Sequence, residues 1–268
     1  PRPRNGVPIL PTNSNLKGDM GQLNEAAVIL ALTTAAMLSL GGLVKGVLGV
    51  GLPLVTVPLL SLVLPAPQAI GMLVVPVLLA NLIQAVQGGR MGYALRRFGP
   101  LMLAQLVVTL ASVYWSQSFS TQAIHAFMAF SVISAVLLMV FQPRGEIPFI
   151  HQPWVGPLLG AYSGALGGVS SLSGPILITY LMALRLSREE FVGSISIIYF
   201  LGSLPMYGAM LWWGRFGWEE VGWSCWAMVP VYLGMALGRR VRGYLSEQLF
   251  RRLMLAFLTL LAVMLLFK

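Results

Sequence analysis

Ten apolar stretches divide this chain, and charge is nearly absent inside them. They run roughly over 26–45, 50–64, 67–88, 98–117, 121–141, 154–170, 174–185, 190–213, 219–238 and 246–267. Most are about 17 to 25 residues long, the length a helix needs to cross ~30 Å of hydrocarbon, and too long for the strands of a membrane barrel. Charged residues make up 9% of the 268 and mean hydropathy is +0.81, whereas a soluble domain carries about a quarter charged residues. The expected fold is therefore all-α and integral to the lipid bilayer.

The second and seventh stretches are shorter than a full crossing and are candidates for half-helices or re-entrant segments. At about 1.5 Å per residue they cover only some 18 to 23 Å. Each follows a glycine-rich sequence, Gly41 to Pro53 in one case and Gly160 to Pro175 in the other. Glycines and proline make poor helix, and in lipid every freed backbone group needs a partner. These backbones are expected to be buried or to line a cavity, with broken or re-entrant helices starting at them.

The two glycine-rich stretches also read as copies of each other. Gly42, Gly46 and Gly49 match Gly160, Gly164 and Gly167 at an offset of 118 (164 − 46), and Gly71 matches Gly193 at 122. Gly89-Arg-Met-Gly-Tyr93 matches Gly214-Arg-Phe-Gly-Trp218 at 125, and Ser120-Thr-Gln122 matches Ser246-Glu-Gln248 at 126. A duplication follows, with a flexible tail over 1–25, a first transmembrane repeat over 26–141, a connecting loop over 142–153 and a second repeat over 154–268. Equivalent loops exchange their positive charge: Tyr114 to Thr121 has none, but its counterpart holds Arg239, Arg240, Arg242, Arg251 and Arg252. By the positive-inside rule the repeats are then inverted, each of about five segments, and both termini lie outside the cytoplasm.

The formal charge of +9 does not indicate nucleic acid, because Lys and Arg sit in short loops between apolar stretches, as topology signals do. Cys225 is single, which excludes an internal disulfide. There is no Walker A motif, no pair of catalytic acids and no Cys or His cluster for a metal. No cofactor, metal or enzymatic activity is expected. All eight acids lie in tails, loops or segment ends, so a buried carboxylate proton relay is not expected either.

Gly49-Val50-Gly51 with Pro53 and Pro58, and Ser173-Gly-Pro175 followed by Ile-Leu-Ile-Thr-Tyr180, resemble the glycine-rich starts of the two halves in the sulfite exporter TauE/SafE family. The resemblance covers about residues 26 to 267. It implies a multi-pass transporter of the bacterial plasma membrane that moves sulfite, an organosulfonate or another small anion. This chain departs from the usual run of adjacent glycines at Val50, Leu52 and Pro53.

The residues suit that chemistry. Half-helix N-termini near Gly51 and Gly174 would present free N–H groups and a positive dipole end to an anion, and Ser170, Ser171 and Ser173 add hydroxyl donors. Gly46, Gly49 and Val50 complete the first break. Lys45 is embedded between apolar segments, where it either meets the anion or snorkels to an interface. Asn81, Gln84, Ser203 and Tyr199 are expected along the pathway, with polar helix contacts as the alternative. The expected activity is secondary transport or facilitated movement of a small anion by alternating access, with a homodimer as an admissible assembly. A drug/metabolite-type transporter of a small organic solute is the second reading, and an integral-membrane transferase the third.

Overall fold

The computed structural model describes residues 13–141, 152–184, 186–241 and 244, with 252, 255, 256, 258–260, 262–264 and 267. Residues 1–12, nearly all of the 142–153 connection, Arg185, Arg242, Arg251, the Ser246-Glu-Gln248 match and much of the tenth stretch lie outside them. Among the described residues there are helices and no strand. In order these are α1 (Asn13–Leu48), α2 (Leu52–Leu60), α3 (Ala66–Gly71), α4 (Val74–Gly88), α5 (Met91–Trp115), α6 (Thr121–Phe141), α7 (Gln152–Ser170), α8 (Gly174–Ala183), α9 (Arg188–Trp212) and α10 (Trp218–Val241).

Among the described residues, six helical spans are long and apolar enough to cross a membrane: Glu25–Leu48, Ala66–Gly88, Met91–Ser118, Thr121–Leu138, Glu190–Trp212 and Trp218–Val241. This is a multi-pass membrane protein. α2 and α8, of 9 and 10 residues, reach only about 14 and 15 Å.

Two elements differ from their sequence-based bounds. α1 starts at Asn13 and runs 36 residues, so helix covers half of the stretch expected as a tail. Leu16, Lys17, Met20, Gln22, Leu23 and Glu25 favour helix, and they follow Pro11, which cannot sit in a helix interior. The third stretch divides at Met72 and Leu73 into α3 and α4. Pro76 lacks an N–H and crowds the carbonyl four residues earlier, that of Met72.

The glycines before the first break do not interrupt α1 either. Gly42 and Gly46 lie against the backbone of α10, where a Cβ would collide with the carbonyl oxygens of Val231 and Met235. In the second glycine-rich stretch a Cβ on Gly164 would come within 2.5 Å of the Gln105 carbonyl oxygen of α5, and one on Gly168 within 2.7 Å of that of Thr109. Small residues let helix backbones approach closely in lipid. Accordingly α1 packs most extensively on α10 and α5 on α7, while α4 crosses α9.

The buried side chains form two clusters, and α5 and α9 contribute to both. One joins α1, α2, α3, α4 and α6 to Met206, Tyr207 and Met210 of α9 and to Ala227, Val231 and Met235 of α10. The other joins Leu177 and Leu181 of α8 and Ile195 and Ile198 of α9 to Ala94, Phe98 and Leu101 of α5. Trp212, Trp218, Trp223 and Trp226 are exposed, as aromatic anchors at a membrane boundary are, whereas Trp213 packs edge-on against Tyr114.

Candidate functional site

Both short helices begin at a backbone that turns left-handed. α1 ends with the Gly49 amide donating to the Lys45 carbonyl at 2.7 Å, and α7 ends with the Ser171 amide donating to the Gly167 carbonyl at 2.7 Å. Gly49 has φ +82° and Ser171 φ +63°, the latter the one positive-φ residue other than glycine among those described. Three residues later α2 starts at Leu52 and α8 at Gly174, with Pro53 and Pro175 in their first turns. The matching residues stand 122 apart (171 − 49 and 174 − 52), one helical turn from the 118 suggested by the glycine pattern. Glycine reaches φ > 0 freely, whereas Ser171 holds it with strain.

A small, partly open cavity lies where the two breaks meet. Gly51, Leu52, Pro53 and Leu54 line it from the first break, and Ser171, Leu172, Ser173 and Gly174 from the second. Neither helix start has a side-chain cap, which leaves first-turn N–H groups without intrahelical partners on two walls of one cavity. α4 contributes Val77 and Asn81, and α9 contributes Tyr199, Ser203, Met206 and Tyr207.

Lys45, from the last turn of α1, is the charged residue in this wall. It is 2% exposed and donates from Nζ to Oδ1 of Asn81 at 2.8 Å, so it does not snorkel. Asn81 is neutral and takes one of three ammonium donors. Among the described residues, no Asp or Glu lines the cavity. Across from this pair, the hydroxyls of Ser171 and Tyr207 lie 3.2 Å apart, and Tyr199 donates to the Gly174 carbonyl at 2.9 Å.

The structure therefore brings Lys45, Gly51, Asn81, Ser171, Ser173, Gly174, Tyr199 and Ser203 together around one space. The other expected residues lie elsewhere. Gly46 is a packing contact with α10, Gly49 shapes the break without lining the cavity, and Val50 belongs to the second apolar cluster. Gln84 accepts from Ser196 at 3.3 Å. Ser170 donates to the Leu166 carbonyl at 2.7 Å and sits 3.2 Å from Ser131, so its hydroxyl is absorbed by α7 and α6. Met206 and Tyr207 also line the cavity. Their signal is their place on the same face of α9 as Ser203, at i+3 and i+4.

Among the described residues no group of His, Cys, Asp and Glu could hold a metal. The donor set is one ammonium, hydroxyls and backbone amides, which fits an oxyanion. A family model described as sulfite exporter TauE/SafE matches residues 34–265. Neither the curated proteins nor the solved structures return a match.

Proposed function

Since the chain belongs to the sulfite exporter TauE/SafE family of membrane transporters, we propose that it moves sulfite or an organosulfonate across the bacterial plasma membrane, and that the cavity at Lys45 is where the anion binds. The observation that carries the reading is the buried Lys45 ammonium, held by neutral Asn81 between two uncapped helix starts. A buried cation without a counter-charge is costly. An entering oxyanion supplies that charge and accepts from the N–H groups at Leu52 and Gly174. Ser171 and Tyr207 offer hydroxyls to the same guest.

Alternating access follows from an inverted duplication, which several features support. The breaks match at 122, Asn81 and Ser203 stand at the same interval (203 − 81), and left-handed Gly89 and Gly214 match at 125. The exchanged packing of α1 on α10 and α5 on α7 is what a two-fold pair of repeats requires. The two halves would rock about the paired breaks, with α2 and α8 as half-helices that reach the bilayer midplane. The positive-inside count puts both termini outside the cytoplasm.

Calorimetric titration of the purified full chain with sulfite tests the site. Wild type binds saturably, and Lys45→Ala weakens binding by roughly tenfold or more, the scale on which an ammonium–oxyanion hydrogen bond acts. Equal affinity in the variant removes Lys45 from the site.

A further inference from the structure

Arg215 carries bonds that hold the second break in place, and its repeat mate, Arg90, is placed to do the same for the first. We propose that these two arginines are positioning residues for transport: each latches the break on its own face of the bundle, and Glu190 draws Arg90 off its latch, which sets the face at which the cavity opens at rest. The inference rests on the alternating-access reading above and deepens it.

The Arg215 latch is formed in this structure. From the turn between α9 and α10 its guanidinium donates to the carbonyls of Val169 at 2.7 Å and Gly168 at 3.4 Å, and to the Ser116 carbonyl at 2.8 Å. The Ser116 hydroxyl accepts as well. Gly168 and Val169 stand in the last turn of α7, whose carbonyls lack partners within the helix, and Ser116 follows the end of α5. One cation thus sits on two helix C-termini, where the dipoles favour it. The cavity residues Ser171 and Ser173 come directly after the clamped turn, so the second break leaves α5 only when these bonds part. The acids that follow Arg215 are used locally: Glu220 accepts from the Gly217 amide at 2.8 Å and Glu219 from Trp223 at 3.5 Å.

The repeat gives Arg90 the same task. Arg215 matches Arg90 at 125, and at 122 Gly168 and Val169 match Gly46 and Val47 (168 − 122 and 169 − 122), in the last turn of α1 before the first break. In this structure Arg90 lies 3.5 Å from Glu190 at the start of α9, where a Cβ on Gly193 would come within 3.6 Å of the arginine side chain. The repeat mate of Glu190 is Gln68 (190 − 122). At this matched pair of positions one face has a carboxylate and the other a neutral amide. The Arg90–Glu190 pair is 39% and 28% exposed, and an ion pair so placed is weak, whereas the Arg215 bonds are charge-assisted and part-buried. The stronger latch stays shut while the weaker pair exchanges.

The experiment reads access at each face. Met206 lines the cavity and becomes the reporter as Met206→Cys in a Cys225→Ser background. A membrane-impermeant methanethiosulfonate is added to right-side-out and to inside-out membrane vesicles holding the full chain, and labelling rates are measured without any transported anion. Arg215→Gln is expected to speed labelling from one face by roughly tenfold or more. Glu190→Gln, which releases Arg90 to its latch, is expected to slow labelling from the opposite face by about threefold, and adding Arg90→Gln removes that slowing. Glutamine still serves the capping box at the start of α9, so Glu190→Gln decides even if Arg215→Gln does not fold. Unchanged rates in Glu190→Gln, or both variants acting at the same face, overturn the latches and leave the alternating-access and anion readings standing. A reporter labelled from neither face in any of these proteins overturns the alternating-access reading and this inference with it.

Discussion

Lys45 Nζ lies 2.8 Å from Asn81 Oδ1, and the two side chains, from α1 and α4, are 2% and 3% exposed. A lysine in a membrane helix thus meets a neutral amide instead of a carboxylate. Replacing that amide tests what the lysine is for. Asn81→Asp supplies an internal counter-ion in almost the same volume, so the chain keeps its fold while the anion loses its role as the neutralising partner. Sulfite binding then falls by roughly tenfold or more, and thermal unfolding in detergent shows no loss of stability. Undiminished binding in Asn81→Asp contradicts the assignment.

Gly164 separates packing glycines from permissive ones. Its Cβ position meets the Gln105 carbonyl oxygen at 2.5 Å, whereas Gly99 on α5 has nothing within 4 Å. Gly164→Val forces α5 and α7 apart and lowers stability by about 2 kcal/mol or more. Gly99→Ala is neutral or raises stability by up to about 1 kcal/mol, because alanine is the better helix former. Thermal unfolding of both variants beside wild type checks the contrast.

The left-handed residues at the breaks respond in opposite directions to substitution. Gly49→Ala places a Cβ at φ +82° and destabilises by about 1 to 2 kcal/mol. Ser171→Gly relieves a strained φ of +63° and holds or raises stability. It also deletes the hydroxyl that faces Tyr207 at 3.2 Å, so its sulfite affinity falls although its fold does not. Unfolding and titration measured on the same samples distinguish the two effects.

Arg215 holds helix ends together. It donates to the Val169 carbonyl at 2.7 Å and the Ser116 carbonyl at 2.8 Å, and also reaches the Ser116 hydroxyl, which ties α7 to the end of α5. Burial lowers its proton affinity from the usual arginine value, yet an arginine remains charged at any working pH. Arg215→Lys keeps the charge but loses the planar fork, and its stability falls by about 1 to 3 kcal/mol. Full wild-type stability in that variant contradicts the clamp.

The sequence pattern placed most membrane segments and both breaks, because apolar length and glycine-rich interruption are local signals. Lys45 stood out for the same reason: a charge in an apolar stretch needs explaining wherever the chain goes. What the pattern could not reveal depends on distant partners. Gly42 and Gly46 read as helix breakers, but α10, nearly 190 residues later (231 − 42 = 189), covers them. Ser170 and Ser171 are adjacent and alike in sequence, yet a single φ sends one into α7 and α6 and the other into the cavity. Arg215 counted as a loop charge, although carbonyl groups from two helices surround it. The helix start at Arg188, by contrast, carries a local signal, since Ser187 and Glu190 form a capping box.

The most direct test of the account is sulfite flux into liposomes reconstituted with wild type, Lys45→Gln and Gly99→Ala at equal protein density. The account predicts saturable flux in wild type and Gly99→Ala, and its loss in Lys45→Gln protein that still unfolds cooperatively. Saturable flux in Lys45→Gln with an unchanged KM would contradict an anion site built on the buried lysine.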